Sequence, residues 1–267
     1  MTGVQQCGER RYGGLGGARE DDAQLTALLL VGPSGWGMIG RVGVWPGKSM
    51  ERGVSLMSAV EPDGRTLVGG VVRLDAGRPA DAAGLFAALD DPRVYAGGFG
   101  GGSAGRPADL AAFARGWTSG LRDPRRRAVY VVRLIADGPL GAAGTIVGTS
   151  SLGDISLPDE RIHLGWTAYT PAVWGSTVNP ECKLLLLRHA FDDCGFGRVK
   201  IQTDIRNTRS QSAIARLGAT REGVLRRHQA RADGTFRDTV VFSILRDEWP
   251  AVHAGLRARV GRPGSGR

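Results

Sequence analysis

The stretch Trp174-Gly175-Ser176-Thr177-Val178-Asn179, running directly into Pro180-Glu181, holds the most openly chemical signal in the chain. An alternating segment, Arg161–Tyr169, precedes it, and a helical pattern of Leu184, Leu187, Phe191 and Cys194 follows. Successive backbone N–H groups where a strand turns into a helix form a concave anion site, and the helix dipole adds to it. A phosphate or pyrophosphate fits such a turn without any lysine. The same residues also read as an ordinary strand-to-helix turn. Other chemistries are poorly served. Gly35-x-Gly37-x-x-Gly40 and Gly100-x-Gly102-x-x-Gly105 match a dinucleotide fingerprint in letters. The first runs into Arg41-Val42-Gly43-Val44-Trp45-Pro46, which cannot start a helix, and the second follows a loop, so chance in a glycine-rich chain accounts for both. A P-loop pattern is absent. His163, His189, His228 and His253 are far apart in sequence, and Cys7, Cys182 and Cys194 are too scattered for a disulfide framework or a zinc site. No metal is expected.

Regular punctuation supplies the elements that must hold this turn. Leu67–Leu74 reads as a strand, Pro79–Leu89 as a helix, Gly97–Gly105 as a glycine-rich loop and Pro107–Gly116 as a second helix. Strands follow at Ala128–Leu134, Ile146–Leu152 and Arg161–Tyr169. Asn179 as N-cap and Pro180 at the first helical position open an amphipathic helix that Gly195 ends. Glu181 reads as a first-turn carboxylate suited to the helix dipole. Arg198–Asp204 is a strand, Asn207 caps a short helix through Leu217, and Ala232-Asp233-Gly234 joins the strands Thr220–Ala230 and Phe236–Leu245 as a hairpin. The order is β-α-α-β-β-β-α-β-α-β-β, an α/β (α+β) domain with a mixed sheet over about 67–252.

Composition limits what surrounds that domain. The 267 residues suffice for one sizeable core or two small ones, and 42% apolar content rules out a wholly disordered chain. The apolar runs, such as Leu184–Leu187, are too short to cross a membrane. Glycine is abundant, at 42 residues, and concentrated in residues 1–56 and Gly97–Gly105. Residues 1–60 show no sustained periodicity and read as a leader, disordered or outside the natural domain, with Met57 as the natural start. The net charge of +9 reflects an arginine-biased composition and a basic tail, 253–267, whose last 13 residues carry four arginines and no acid. No Lys/Arg run is interleaved with aromatics, which weighs against nucleic acid as a partner. A cytoplasmic protein is the default reading.

A resemblance organises these signals. Gly165-Trp166-Thr167, the segment Trp174–Leu184, Asn207-x-x-Ser210, Leu217-Gly218-Ala219 and Glu222-Gly223-Val224-Leu225-Arg226 occur in that order. Arg237-Asp238-Thr239, Phe242-Ser243-Ile244-Leu245 and Glu248-Trp249 complete the run. Together they resemble the GCN5-related N-acetyltransferases (GNAT), closest to the RimJ/RimL-type branch that acetylates ribosomal-protein N-termini. The resemblance implies the GNAT fold, with a central twisted mixed sheet flanked by helices. It implies transfer of acetyl from acetyl-CoA to a primary amine, a protein N-terminus or a small amine, by direct attack in a ternary complex. A homodimer stays open. The alternative is a CoA-binding module without turnover.

The resemblance also assigns roles. The family's pyrophosphate loop reads Gln/Arg-x-x-Gly-x-Gly/Ala and would lie on Trp174, Gly175, Ser176, Thr177, Val178 and Asn179 here. Thr177 stands where a glycine is expected, and the hydroxyls of Thr177 and Ser176 are offered to phosphate in its place. Backbone near Trp166, Thr167 and Ala168 would hold the thioester carbonyl and pair with the pantetheine arm, with Asn207 contacting the same arm. Ser210 is the expected donor to the leaving thiolate, against a reading in which Asn207 merely caps a helix that Ser210 supports. RimJ/RimL-like sequences carry glutamate where this chain has His163, so His163 is the expected base; an exposed strand histidine is the plainer reading, and Asp154 the alternative base. Arg226, His228 and Asp238 lie on the hairpin that would line the acceptor cleft.

Overall fold

The computed structural model describes residues 59–123 and 125–261. The expected leader lies outside the described residues except for Ala59 and Val60, as do Cys7, Met57 and residues 262–267. In β3 (Arg126–Leu134), Ala128, Tyr130 and Val132 enter one apolar cluster while Val129 and Val131 enter another. The strand is therefore buried on both faces, as its unbroken β-branched run implies. Its neighbours are β2 (Val72–Ala76) and β4 (Ile146–Ser156), both antiparallel to it. β5 (Arg161–Tyr169) follows β4, and β6 (Arg198–Asp204) lies parallel to β5. A hairpin of β7 (Thr220–Ala230) and β8 (Phe236–Leu245) completes the sheet, with β8 against β6. Together with β1 (Leu67–Val68), the eight strands run in the order β1-β2-β3-β4-β5-β6-β8-β7.

Helices cover the sheet unevenly. α4 (Val178–Arg188), extended through a π-helical turn to Asp193, packs with α6 (Trp249–Val260) on one face. α1 (Ala82–Leu89) and α3 (Leu110–Leu121) pack on the other, where Leu85, Leu89, Phe113 and Trp117 meet Val129, Val131 and Ala168. Asp109 caps α3, accepting from the Ala112 N–H at 2.7 Å. Two short helices are α2 (Pro92–Ala96), which contacts the turns at 99–105, and α5 (Thr208–Ala215), which contacts β6.

Several expectations change. The single strand foreseen at Leu67–Leu74 is a hairpin, folded at Gly69-Gly70-Val71 because a distant carboxylate gathers the turn. Glu181 is not a solvated first-turn acid: it is 3% exposed and accepts the N–H groups of Gly70, Val71 and Val72, each at 2.7 Å. A Cβ on Gly69 would stand 2.5 Å from its Cδ, so glycine is required there. α4 begins at Val178, with Thr177 at the cap position, two residues before the expected Asn179 cap. Pro180 is tolerated in the first turn because the N–H it lacks has no partner there. Nor is α4 amphipathic, since Val178 and Pro180–Leu187 are all buried, packed against the sheet as well as α6. The folded part also exceeds 67–252. Ala59 is buried, Val60 N–H donates to the Cys194 carbonyl at 2.9 Å, and Leu256 of α6 is 1% exposed, within the stretch expected as tail.

Candidate active site

β5 and β6 are paired at Arg161–Arg198, Ile162–Val199 and His163–Lys200, and then part. From Leu164 onward β5 keeps only β4 as a neighbour among the described residues, so its other edge offers unpaired N–H and C=O groups to a cleft. His163 marks the fork. It is 3% exposed, not the exposed strand histidine of the plainer reading. Its Nδ1 lies 3.3 Å from Asp154 Oδ2, which also receives Lys200 Nζ at 3.4 Å. Burial pushes the imidazole pKa down despite the opposing pull of Asp154. The same hydrogen bond holds the Asp154 carboxyl below its usual range. With Nδ1–H turned to the carboxylate, Nε2 carries the lone pair, and that atom is buried without a hydrogen-bond partner among the described residues.

Local backbone irregularity shapes this pocket. Thr149 faces Ala168 while Ser151 faces Gly165, so β5 carries one residue more than β4. Trp166, at φ +48°, sits in that bulge, with its ring 4.8 Å from the His163 ring. A Cβ on Gly165 would come within 2.6 Å of His163 Nε2. Only glycine leaves the imidazole its place. On the opposite face of β5, Thr167 Oγ1 binds Ser150 Oγ at 2.7 Å and accepts from Lys183 Nζ at 2.9 Å.

The turn between β5 and α4 supplies orphan donors. Gly175 takes φ +78°, a conformation glycine adopts freely. Thr177, at φ −73°, has no need of glycine for its backbone conformation. The N–H groups of Gly175, Thr177 and Asn179 donate to no acceptor among the described residues. Ser176 is otherwise engaged. Its hydroxyl donates to the Val173 carbonyl at 2.6 Å and accepts from Val178 N–H, so it is no free phosphate donor. Trp174 anchors the turn by donating its indole N–H to the Tyr169 carbonyl, and the Arg209 guanidinium of α5 stacks 3.6 Å above its ring.

Across the cleft, Asn207 caps α5 by accepting the Ser210 N–H at 2.9 Å, and its amide donates to the Gly97 carbonyl. Both ends of that side chain are thus occupied within the protein. Ser210 Oγ makes no hydrogen bond among the described residues. The glycine-rich loop closes this end, with the Gly101 carbonyl accepting from Ala232 N–H in the hairpin turn at 3.1 Å.

A mixed sheet forked between two parallel strands, with a donor-lined turn beside the fork, matches a known family. The model for the acetyltransferase (GNAT) domain covers residues 72–220. The chain belongs to the GNAT acetyltransferases. It is an acetyl-CoA-dependent N-acetyltransferase. A T. thermophilus protein described as an acetyltransferase is 34% identical, with a TM-score of 0.64 over 73% of this chain and 96% of that one. A GCN5-related N-acetyltransferase from Brucella melitensis is 23% identical, with a TM-score of 0.69 over 78% of this chain and 90% of that one. Mycobacterium smegmatis RimJ, in complex with CoA-disulfide, is 19% identical, with a TM-score of 0.54 over 74% of this chain and 96% of that one. The last two bear on the fold alone. No curated protein matches the chain.

The GNAT cofactor suits what is present. Orphan N–H groups at Gly175, Thr177 and Asn179 face a diphosphate's chemistry, and the free edge of β5 past His163 suits an amide-bearing arm. Lys183 and Lys200 carry no signal in the sequence. Neither has a motif of its own, and each enters the site only through partners on another element.

Proposed function

We propose that the protein acetylates a primary amine, either a protein N-terminus or a small amine, by direct attack within a ternary complex. Acetyl-CoA supplies the acetyl group as a thioester, whose carbonyl carbon takes the amine's lone pair as its C–S bond breaks. The observation that carries this reading is His163 Nε2, a buried lone pair without a partner among the described residues, at the fork of β5 and β6. An amine arrives as ammonium at neutral pH, and Nε2 takes the proton it must shed. Asp154 holds Nδ1–H and so fixes the tautomer. Ser210 Oγ, which has no acceptor within the described protein, donates to the departing sulfur. Gly175, Thr177 and Asn179 hold the diphosphate through backbone N–H groups, and the free edge of β5 around Trp166–Ala168 holds the arm.

Thiol release from acetyl-CoA, followed over a panel of amines and N-terminal peptides, tests this reading. Acetylated product with one class of amine is expected. Tight CoA binding with no thiol release for any acceptor would overturn it in favour of a binding module.

A further inference from the structure

The face of the sheet that carries His163 continues onto β6 and β8. Lys200, Gln202 and Asp204 lie on it, opposite Ser243, Val241 and Thr239. β7 then departs from regular pairing. Leu225 faces Thr239 and Gln229 faces Arg237, so β7 uses two residues more than its partner. Arg227, at φ +49°, is held within this bulge by donating its N–H to Asp238 Oδ1 at 2.7 Å, with its guanidinium 3.8 Å over the Phe236 ring. His228 consequently reaches the buried Thr239, with Nδ1 3.0 Å from Oγ1.

Arg237 Nε donates to that same oxygen at 2.9 Å. The threonine proton therefore goes to His228 Nδ1, and the neutral ring carries its own proton on Nε2. Burial, then the charges of Arg237 and Lys200, hold this imidazole below its ordinary pKa. The chain Arg237–Thr239–His228 orients several N–H groups, the terminal guanidinium nitrogens and His228 Nε2, that meet no acceptor among the described residues.

Arg237 also forms no ion pair among the described residues, although the nearby Asp204 charge favours its cationic form. Asp204 is engaged by Arg231, whose Nε and Nη2 reach its carboxylate at 2.8–3.0 Å, and by the Arg206 N–H. Lys200 has Asp154. Half-buried cations that keep hydrogen-bond donors in reserve select anionic oxygen.

We propose that Arg237, with His228 set on Thr239, binds a carboxylate or phosphate group of the acceptor. This inference rests on the acetyl-transfer reading. It also sets a length. Lys200, beside His163, and Asp204, beside Thr239, lie four residue steps apart on β6, which is about 13 Å of strand. In an extended N-terminal peptide, that span places the negative group near the fourth residue.

The test compares N-terminal peptides that differ only in glutamate or glutamine as the fourth residue, with phosphoserine there as a third arm. The expected result is kcat/KM about 10 to 100 times higher for the anionic peptides, the scale of one charge-assisted pair. Arg237→Gln should collapse that ratio towards unity, and Arg237→Lys should retain part of it. The wild-type comparison needs no variant, and its ratio should shrink as salt is raised. Equal kcat/KM for the charged and neutral peptides, or a ratio untouched in Arg237→Gln, overturns the anionic subsite while leaving acetyl transfer standing. Absence of thiol release with every amine and peptide overturns the proposed function and this inference with it.

Discussion

Lys183 Nζ donates to Thr167 Oγ1 at 2.9 Å, and no carboxylate among the described residues stands within ion-pair distance of it. Burial lowers this ammonium's pKa to about 8. The unfolded chain holds the proton more tightly, so protonation at neutral pH works against folding. Lowering the pKa from 10.5 to this value corresponds to about 3 kcal/mol. Lys183→Met should therefore stabilise the protein at pH 7. The gain should shrink between pH 8 and 10.5, where the wild type itself becomes more stable. Urea titrations at pH 7 and pH 9.5 measure it, and a destabilised variant at pH 7 would contradict the burial cost.

His163 gives a second pH dependence, of the same sign. Its neutral form persists below the ordinary value of 6.5, so the acid limb of kcat/KM should lie under that pH. Folding stability should decline as pH falls through 6.5, because the unfolded chain protonates first. His163→Gln should remove the limb and lower turnover by about 100-fold or more. A variant with unchanged rate would take the imidazole out of the mechanism.

At Gly165 the same ring sets a steric limit. Gly165→Ala places a methyl 2.6 Å from Nε2 and 2.7 Å from Cε1. The imidazole must move, and turnover should fall far more than affinity for CoA. Steady-state kinetics beside equilibrium CoA binding separate the two effects; a normal kcat would argue that the ring's position is irrelevant.

Glu181 ties the β1–β2 turn to α4 through charge-assisted bonds. Glu181→Ala leaves the N–H groups of Gly70, Val71 and Val72 without their acceptor, a loss of about 3 kcal/mol or more. Hydrogen exchange at those amides should rise selectively. Protection equal to wild type would mean that the carboxylate contributes little.

Arg231 and Asp204 are each 8% exposed as side chains and form a buried pair. Arg231→Met alone strands the Asp204 charge and should cost about 3–5 kcal/mol, whereas Arg231→Met with Asp204→Leu should recover much of it. Thermal denaturation of the two variants decides between a stranded charge and simple loss of packing.

Much of the fold was legible because strand residues announce themselves locally. Alternation in Arg161–Tyr169 and the Ala232-Asp233-Gly234 turn fixed β5, β7 and β8 at their observed ends. Long-range partners broke the other readings. Nothing near Gly69 hints that Glu181, over a hundred residues later, will fold the chain there. Asn179-Pro180 imitates a cap, but the backbone has already turned at Gly175. The strand-to-helix turn at Trp174–Asn179 was visible in its residues. The unpaired Nε2 of His163 was not, since it depends on Gly165 and on a bulge whose existence only the β4 register reveals.

The fork after His163 has a consequence for the lifetime of the protein as well as its chemistry. On the proposed binding of the acyl donor's arm along the unmatched edge of β5, ligand adds cohesion that the sheet itself does not supply there. Ligand held at 100 times its dissociation constant adds about 2.7 kcal/mol to a fold that binds it only when folded. Resistance to proteases should then rise with the concentration of acetyl-CoA, and limited proteolysis with and without it measures the effect.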